Sequence, residues 1–130
     1  MPEARVAATT YLQVALGGAL GSVLRFWLGT LVGMKAGAAF WGTLFVNVTG
    51  SFLIGLAASF EKNGPSDFTR QFVMIGILGG FTTFSAFSLQ TLELFRAGTP
   101  GLAVANVALS LVLCLLGVWL GHSLGARLWQ

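Results

Sequence analysis

The chain has 130 residues, of which 55% are hydrophobic and only 8% charged, and its mean hydropathy is +0.84. Soluble domains carry about a quarter charged residues, so this composition excludes one and points to an integral membrane protein. The net charge of +3 is scattered singly over Arg5, Arg25, Lys35, Lys62, Arg70, Arg96 and Arg127, with no basic cluster to neutralise a run of phosphates, which argues against nucleic acid as a partner. The lone Cys114 excludes an intrachain disulfide and any cysteine-based metal site.

The N-terminal "MPEARVAATT" is polar, and the apolar run behind it is too long and too Arg-interrupted for a cleaved signal peptide. A first span is therefore predicted over roughly 11–31, followed by the connection "VGMKAGAAF". The second runs over about 41–60, with Trp41 at a position that suits a membrane interface. The segment "EKNGPSD" holds the turn signal Gly64-Pro65. The third span covers about 69–96, and "AGTPG" links it to the fourth at about 101–128, where Trp129 is a second interface anchor. Run length selects helices over barrel strands, which would alternate over about 10 residues. The expected architecture is a single all-α domain of four transmembrane helices over residues 1–130.

An even number of spans leaves both termini on one side, with Arg5, Lys62, Arg70 and Arg127, against Lys35 and Arg96 on the other. That bias is too weak to enforce one orientation, and a chain inserting both ways can build an antiparallel dimer. Gly17 and Gly21, Gly76 and Gly80, and Gly117, Gly121 and Gly125 recur every fourth residue. Such spacing clears a helix face for a neighbouring backbone, within one subunit or between two.

Arg25 is the one basic residue well inside a span, on a face with Gly18, Ser22 and Gly29. A charge there costs at least a few kcal/mol unless it faces the bundle interior or water, pairs, or snorkels to an interface; a vestibular arginine favours anions. Asn47 shares a face with Thr43, Gly50 and Ser51. It either bonds a neighbouring helix or turns its amide donors towards a pathway, replacing waters around an anion.

The run "GILGGFTTFSAFS" carries more polarity than a lipid-facing helix needs. Gly79-Gly80 lowers helix stability, and the hydroxyls of Thr82 and Thr83 can satisfy backbone groups freed by a break near Gly79–Thr83. Broken membrane helices offer carbonyls to cations and helix N-termini to anions. Phe84 and Phe87 lie on one face; their electropositive ring edges can touch a desolvated anion weakly, although the same pair also suits plain packing. In the fourth span Asn106, Ser110 and Cys114 form a stripe that either lines the same route or packs helices. His122 stands alone, and Glu93 is placed to reach an interface. No carboxylate pair, metal-ligand spacing, nucleophile set or phosphate loop assembles, so an enzyme is the least expected class and no organic cofactor is implied.

At "GGALGSVLRF", "WGTLFVNVTGSFLIG" and "GILGGFTTFSAFS" the chain resembles the bacterial fluoride channel family known as Fluc or CrcB, from about Val14 to Gly121. The resemblance implies an antiparallel, dual-topology homodimer in the bacterial cytoplasmic (inner) membrane, with two pores that let fluoride leave the cytoplasm passively. By motif, Asn47 matches the pore asparagine, Phe84 and Phe87 the two ring-edge phenylalanines, and Arg25 the first-helix arginine near a vestibule. Gly79 and Thr82 match positions whose backbone carbonyls hold a structural sodium ion on the dimer axis. Thr43, Ser85 and Ser110 match hydroxyls near the polar track, and Thr83 beside them joins the expected pathway. Two positions depart from the pattern: Gln90 stands where some members have glutamate, and Asn106 where some have tyrosine. Conduction is expected to survive both, since an amide still hydrogen-bonds.

The expectation is thus a passive fluoride channel. One rival, a small proton-coupled exporter of cations, needs a membrane carboxylate, and the first span has Arg25 and no acid. The other, a non-conducting assembly subunit, would leave midspan polar groups as costly decoration.

Overall fold

A computed structural model describes residues 7–60 and 63–128. Arg5, Lys62 and Trp129, used above for orientation and anchoring, lie outside the described residues. Every described element is helical, and four stretches are long and apolar enough to cross a membrane: Ala8–Ala36, Ala39–Ala58, Thr69–Arg96 and Pro100–Leu128.

Helix α1 (Ala8–Ala36) runs beyond the predicted Leu31 through Lys35, and α2 (Ala39–Ala58) begins ahead of Trp41. The expected loop shrinks to Gly37 and Ala38. Gly37 ends α1 in the left-handed region, at φ +83°, where a residue without Cβ closes a helix without steric cost. Nothing earlier in "VGMKA" stops the helix.

The third span is two elements. Ser66 starts α3: its Oγ accepts from Thr69 N–H at 3.2 Å and its carbonyl from Arg70 N–H at 2.9 Å. Helix α3 winds as a π-helix over Thr69–Leu78 and closes with one α-turn, Gly79–Phe81. The wide winding, absent from the sequence expectation, is met by α1 at two glycines. A Cβ at Gly17 would crowd the Phe72 carbonyl oxygen and the Gly76 Cα, and one at Gly21 would land on the Ile77 carbonyl oxygen. Thr82 and Thr83 then leave the helix with extended dihedrals, at ψ 156° and 115°. Helix α4 (Phe84–Arg96) restarts behind them, with Thr83 Oγ1 accepting from Ala86 N–H at 3.2 Å as N-cap. Helix α5 (Pro100–Leu128) opens on a proline at its first position, where a missing N–H costs nothing.

The break lets the third span change neighbours. Helix α3 packs on α1, α4 packs on α5, and α2 lies against all of them. Helices α2 and α5 approach through glycine: a Cβ at Gly121 would strike the Phe52 carbonyl oxygen, and one at Gly55 the Val118 carbonyl oxygen. The glycine repeats are therefore used for packing within one subunit. The core is correspondingly thin, formed by Phe40, Leu44, Val46, Leu78, Phe81, Phe87 and Ala103. Large apolar side chains such as Phe26, Trp27, Leu115 and Trp119 point outwards. Lipid tails are as apolar as these side chains, so close backbone packing and hydrogen bonds, rather than exclusion of water, hold the helices together.

Candidate ion pathway

Two open cavities flank the break, and Thr83 lines both. The first, about 630 Å³, gathers Arg25, Thr43, Thr83 and Gln90 between α1, α2 and α4. The second, about 340 Å³, gathers Asn47, Gly79, Thr82, Thr83, Phe84, Phe87, Ser110 and Cys114. Residues from all five helices thus converge on one short extended segment. Among the described residues no acidic side chain lines either cavity, while Arg25 places one fixed positive charge beside the first.

Arg25 is paired. Its Nε donates to the Gly80 carbonyl at 3.0 Å, tying α1 to the last turn of α3. Asn47 uses both ends of its amide on one residue: Nδ2 donates to the Thr83 carbonyl at 3.0 Å, and Oδ1 accepts from Thr83 N–H at 2.7 Å. Of the two options the sequence leaves open for this side chain, the bond to another segment is present. It bonds another helix, and its second Nδ2 proton remains for the cavity it lines.

Phe84 and Phe87 pack at 5.3 Å between centroids with planes tilted by 49°. Their surroundings differ: Phe87 is 8% exposed inside the protomer, Phe84 75% exposed on its open side. Ser110, 7% exposed, lines the second cavity, and its buried Oγ has no partner. Gln90 likewise has a buried Oε1 without a partner beside the first cavity. Buried hydroxyls and amides are ordinarily paired, so both atoms keep bonding capacity to spare, as does Gln13 Oε1 away from the cavities.

Two of the expected pathway residues are not brought to the cavities. Ser85 is exposed, with its Oγ 3.3 Å from Thr83 Oγ1. Asn106, 2% exposed, is sealed between α4 and α5, where Nδ2 donates to Thr91 Oγ1 at 2.9 Å. Thr91 Oγ1 in turn donates to the Phe87 carbonyl at 2.8 Å. The stripe Asn106, Ser110, Cys114 therefore divides: its first member packs helices and the other two line the second cavity. Thr91 went unremarked in the sequence because its one signal, a hydroxyl four residues after Phe87, is common to many helices.

The backbone at the break also offers oxygen. In an α-helix the Gly79 carbonyl would accept from Thr83 N–H, and the Thr82 carbonyl from Ala86 N–H. Here Thr83 N–H goes to Asn47 and Ala86 N–H to Thr83 Oγ1. Both carbonyls lose their helical donors, and Gly79 lies on the exposed side of the protomer. Oxygen atoms of this kind suit a hard cation such as sodium.

Fold and site together define a four-span helical membrane protein with neutral donors, ring edges and one arginine gathered at a broken helix. The model of the "CrcB-like protein, Camphor Resistance (CrcB)" family matches residues 12–122, and the chain belongs to that family. It is 55% identical over 119 residues to a protein of Rhodospirillum rubrum, covering 87% of this chain and 92% of the relative. It is 58% identical over 117 residues to one of Opitutus terrae, covering 86% and 89%. A Thermus thermophilus protein shares 52% over 120 residues, covering 91% and 96%. All three relatives carry the name "Fluoride-specific ion channel FluC". Family and apolar spans together make this chain a multi-pass protein of the bacterial inner membrane.

Proposed function

We propose that this protein is a passive, fluoride-selective channel that lets fluoride leave the cytoplasm, built as an antiparallel dual-topology homodimer with two pores. The observation that carries the reading is the Ser110 hydroxyl, buried and unpartnered beside the cavity that also collects Asn47, Phe84 and Phe87. Fluoride is small and strongly hydrated, so a pore must replace its waters with donors. Ser110 O–H and the free Asn47 N–H are such donors, and the edges of Phe84 and Phe87 add weak attraction without trapping the ion. Thr43, Thr83 and Gln90, beside Arg25 in the first cavity, supply a polar approach. Ser85 and Asn106 then contribute through the Thr83 and Thr91 hydroxyls they touch.

A partner subunit fits the open side of the site. Phe84 is mostly exposed in the protomer, and a second copy would cover it and close the second cavity. A structural sodium ion fits the carbonyls of Gly79 and Thr82, which would bind it and let it fasten two protomers at their shared axis. A proton-coupled exporter is disfavoured because no described acidic residue faces either cavity.

The test is efflux from liposomes loaded with potassium fluoride, read by a fluoride electrode after valinomycin. Rapid, valinomycin-dependent loss of fluoride but not chloride, slowed at least about tenfold by Phe84→Ile, is expected. Folded protein that releases no fluoride would leave the non-conducting subunit as the better reading.

A further inference from the structure

Three side chains decide how the backbone oxygens at the break are used. Arg25 Nε occupies the Gly80 carbonyl and Asn47 Nδ2 the Thr83 carbonyl. Asn47 Oδ1 withdraws Thr83 N–H from the Gly79 carbonyl, and the Thr83 hydroxyl does the same to the Thr82 carbonyl through Ala86 N–H. Without Asn47, the nearest backbone partner for Thr83 N–H is the Gly79 carbonyl, and that bond would lengthen α3 by one helical step.

We infer that Asn47 is a positioning residue for the cation site: its two-point clamp on the Thr83 peptide holds the break open and makes the Gly79 carbonyl available to sodium. This inference rests on the sodium reading above and adds a second role to a side chain otherwise assigned to the anion. One residue of α2 then serves both ions. Its Oδ1 and one Nδ2 proton shape the backbone, and its other Nδ2 proton faces the second cavity. Fluoride transport and sodium binding are consequently coupled through a single amide.

The clamp separates into an acceptor half and a donor half. Asn47→Leu removes both. Asn47→Asp keeps an oxygen for Thr83 N–H while offering nothing to the Thr83 carbonyl, so it leaves the Gly79 carbonyl free. Phe84→Ile alters the same cavity without touching the clamp.

The experiment uses the full chain in detergent. Thermal unfolding is compared in sodium chloride and in N-methylglucamine chloride, and hydrogen exchange at the Thr83 amide is followed by NMR. Wild type, Asn47→Asp and Phe84→Ile are expected to melt higher in sodium. Asn47→Leu is expected to lose that shift and to exchange the Thr83 amide proton at a rate altered by about tenfold or more, since its partner has changed. An Asn47→Leu protein that keeps the full sodium shift overturns the inference, as does an Asn47→Asp protein that loses it. Wild type indifferent to sodium would instead overturn the cation reading of the preceding subsection. The clamp itself would still be judged by the Thr83 amide, and unchanged exchange in Asn47→Leu would refute it.

Discussion

The Nε of Arg25 donates to the carbonyl of Gly80 across 3.0 Å, joining residues 55 positions apart in the chain. This bond makes a membrane-embedded charge tolerable, because the guanidinium spends one donor on a carbonyl at the broken span and turns the rest to a cavity. Arg25 thus fastens α1 to the break while holding positive charge beside the first cavity.

Arg25→Met should remove both contributions. Hydrogen bonds to charged groups are worth about 1.5–3 kcal/mol, so unfolding in detergent should show a loss of that size and fluoride efflux should slow. Unchanged stability would mean that the Gly80 contact carries no energy.

Gln90 lines the first cavity with a buried amide oxygen. Gln90→Glu would put a carboxyl group into that cavity, which Arg25 also lines. A negative charge there opposes an anion, so fluoride efflux in the variant should be slower than in wild type at the same pH. Efflux equal to that of wild type would show that Gln90 lies away from the ion.

Gly42 meets α1 backbone directly, since a Cβ there would lie on the Gly29 carbonyl oxygen. Backbone cannot swing aside, so Gly42→Ala should part α1 from α2 and cost about 1–3 kcal/mol, seen as a lower unfolding midpoint. Gly101 is exposed with open space around its missing Cβ. Gly101→Ala should be neutral or stabilise by about 0.5–1 kcal/mol through helix propensity. Equal losses at both positions would contradict this packing.

Asn106 acts on Phe87 through Thr91. Polar contacts between membrane helices average about 0.6 kcal/mol, so Asn106→Leu should be only mildly destabilising. Its effect on efflux should be matched by Thr91→Val, and the double variant should do no more than either alone. Additive losses would place Asn106 in direct contact with the ion instead.

Much of this protein is legible along the chain, because spans and turns are set by local composition. Four apolar runs, the turn at Gly64-Pro65 and the weakness of Gly79-Gly80 next to two threonines are local features, and the break falls where they place it, at Thr82 and Thr83. The inward-facing polar groups could also be named, since polarity in lipid needs a reason. Helix ends were less legible: α1 continues to Ala36 because Gly37, and nothing before it, adopts a positive φ.

Partners were not legible. Asn47 and Thr83 are 36 positions apart, and no local pattern distinguishes a clamp on a distant peptide from a donor aimed at a pathway. The same holds for Arg25 on Gly80, for the sealing of Asn106 against Thr91 and for the π-winding of α3 against Gly17 and Gly21. Hydropathy states which residues leave lipid, a property of each side chain. Which oxygen each donor finds depends on how the third span exchanges α1 for α5 at its break, a property that exists only once the helices have packed.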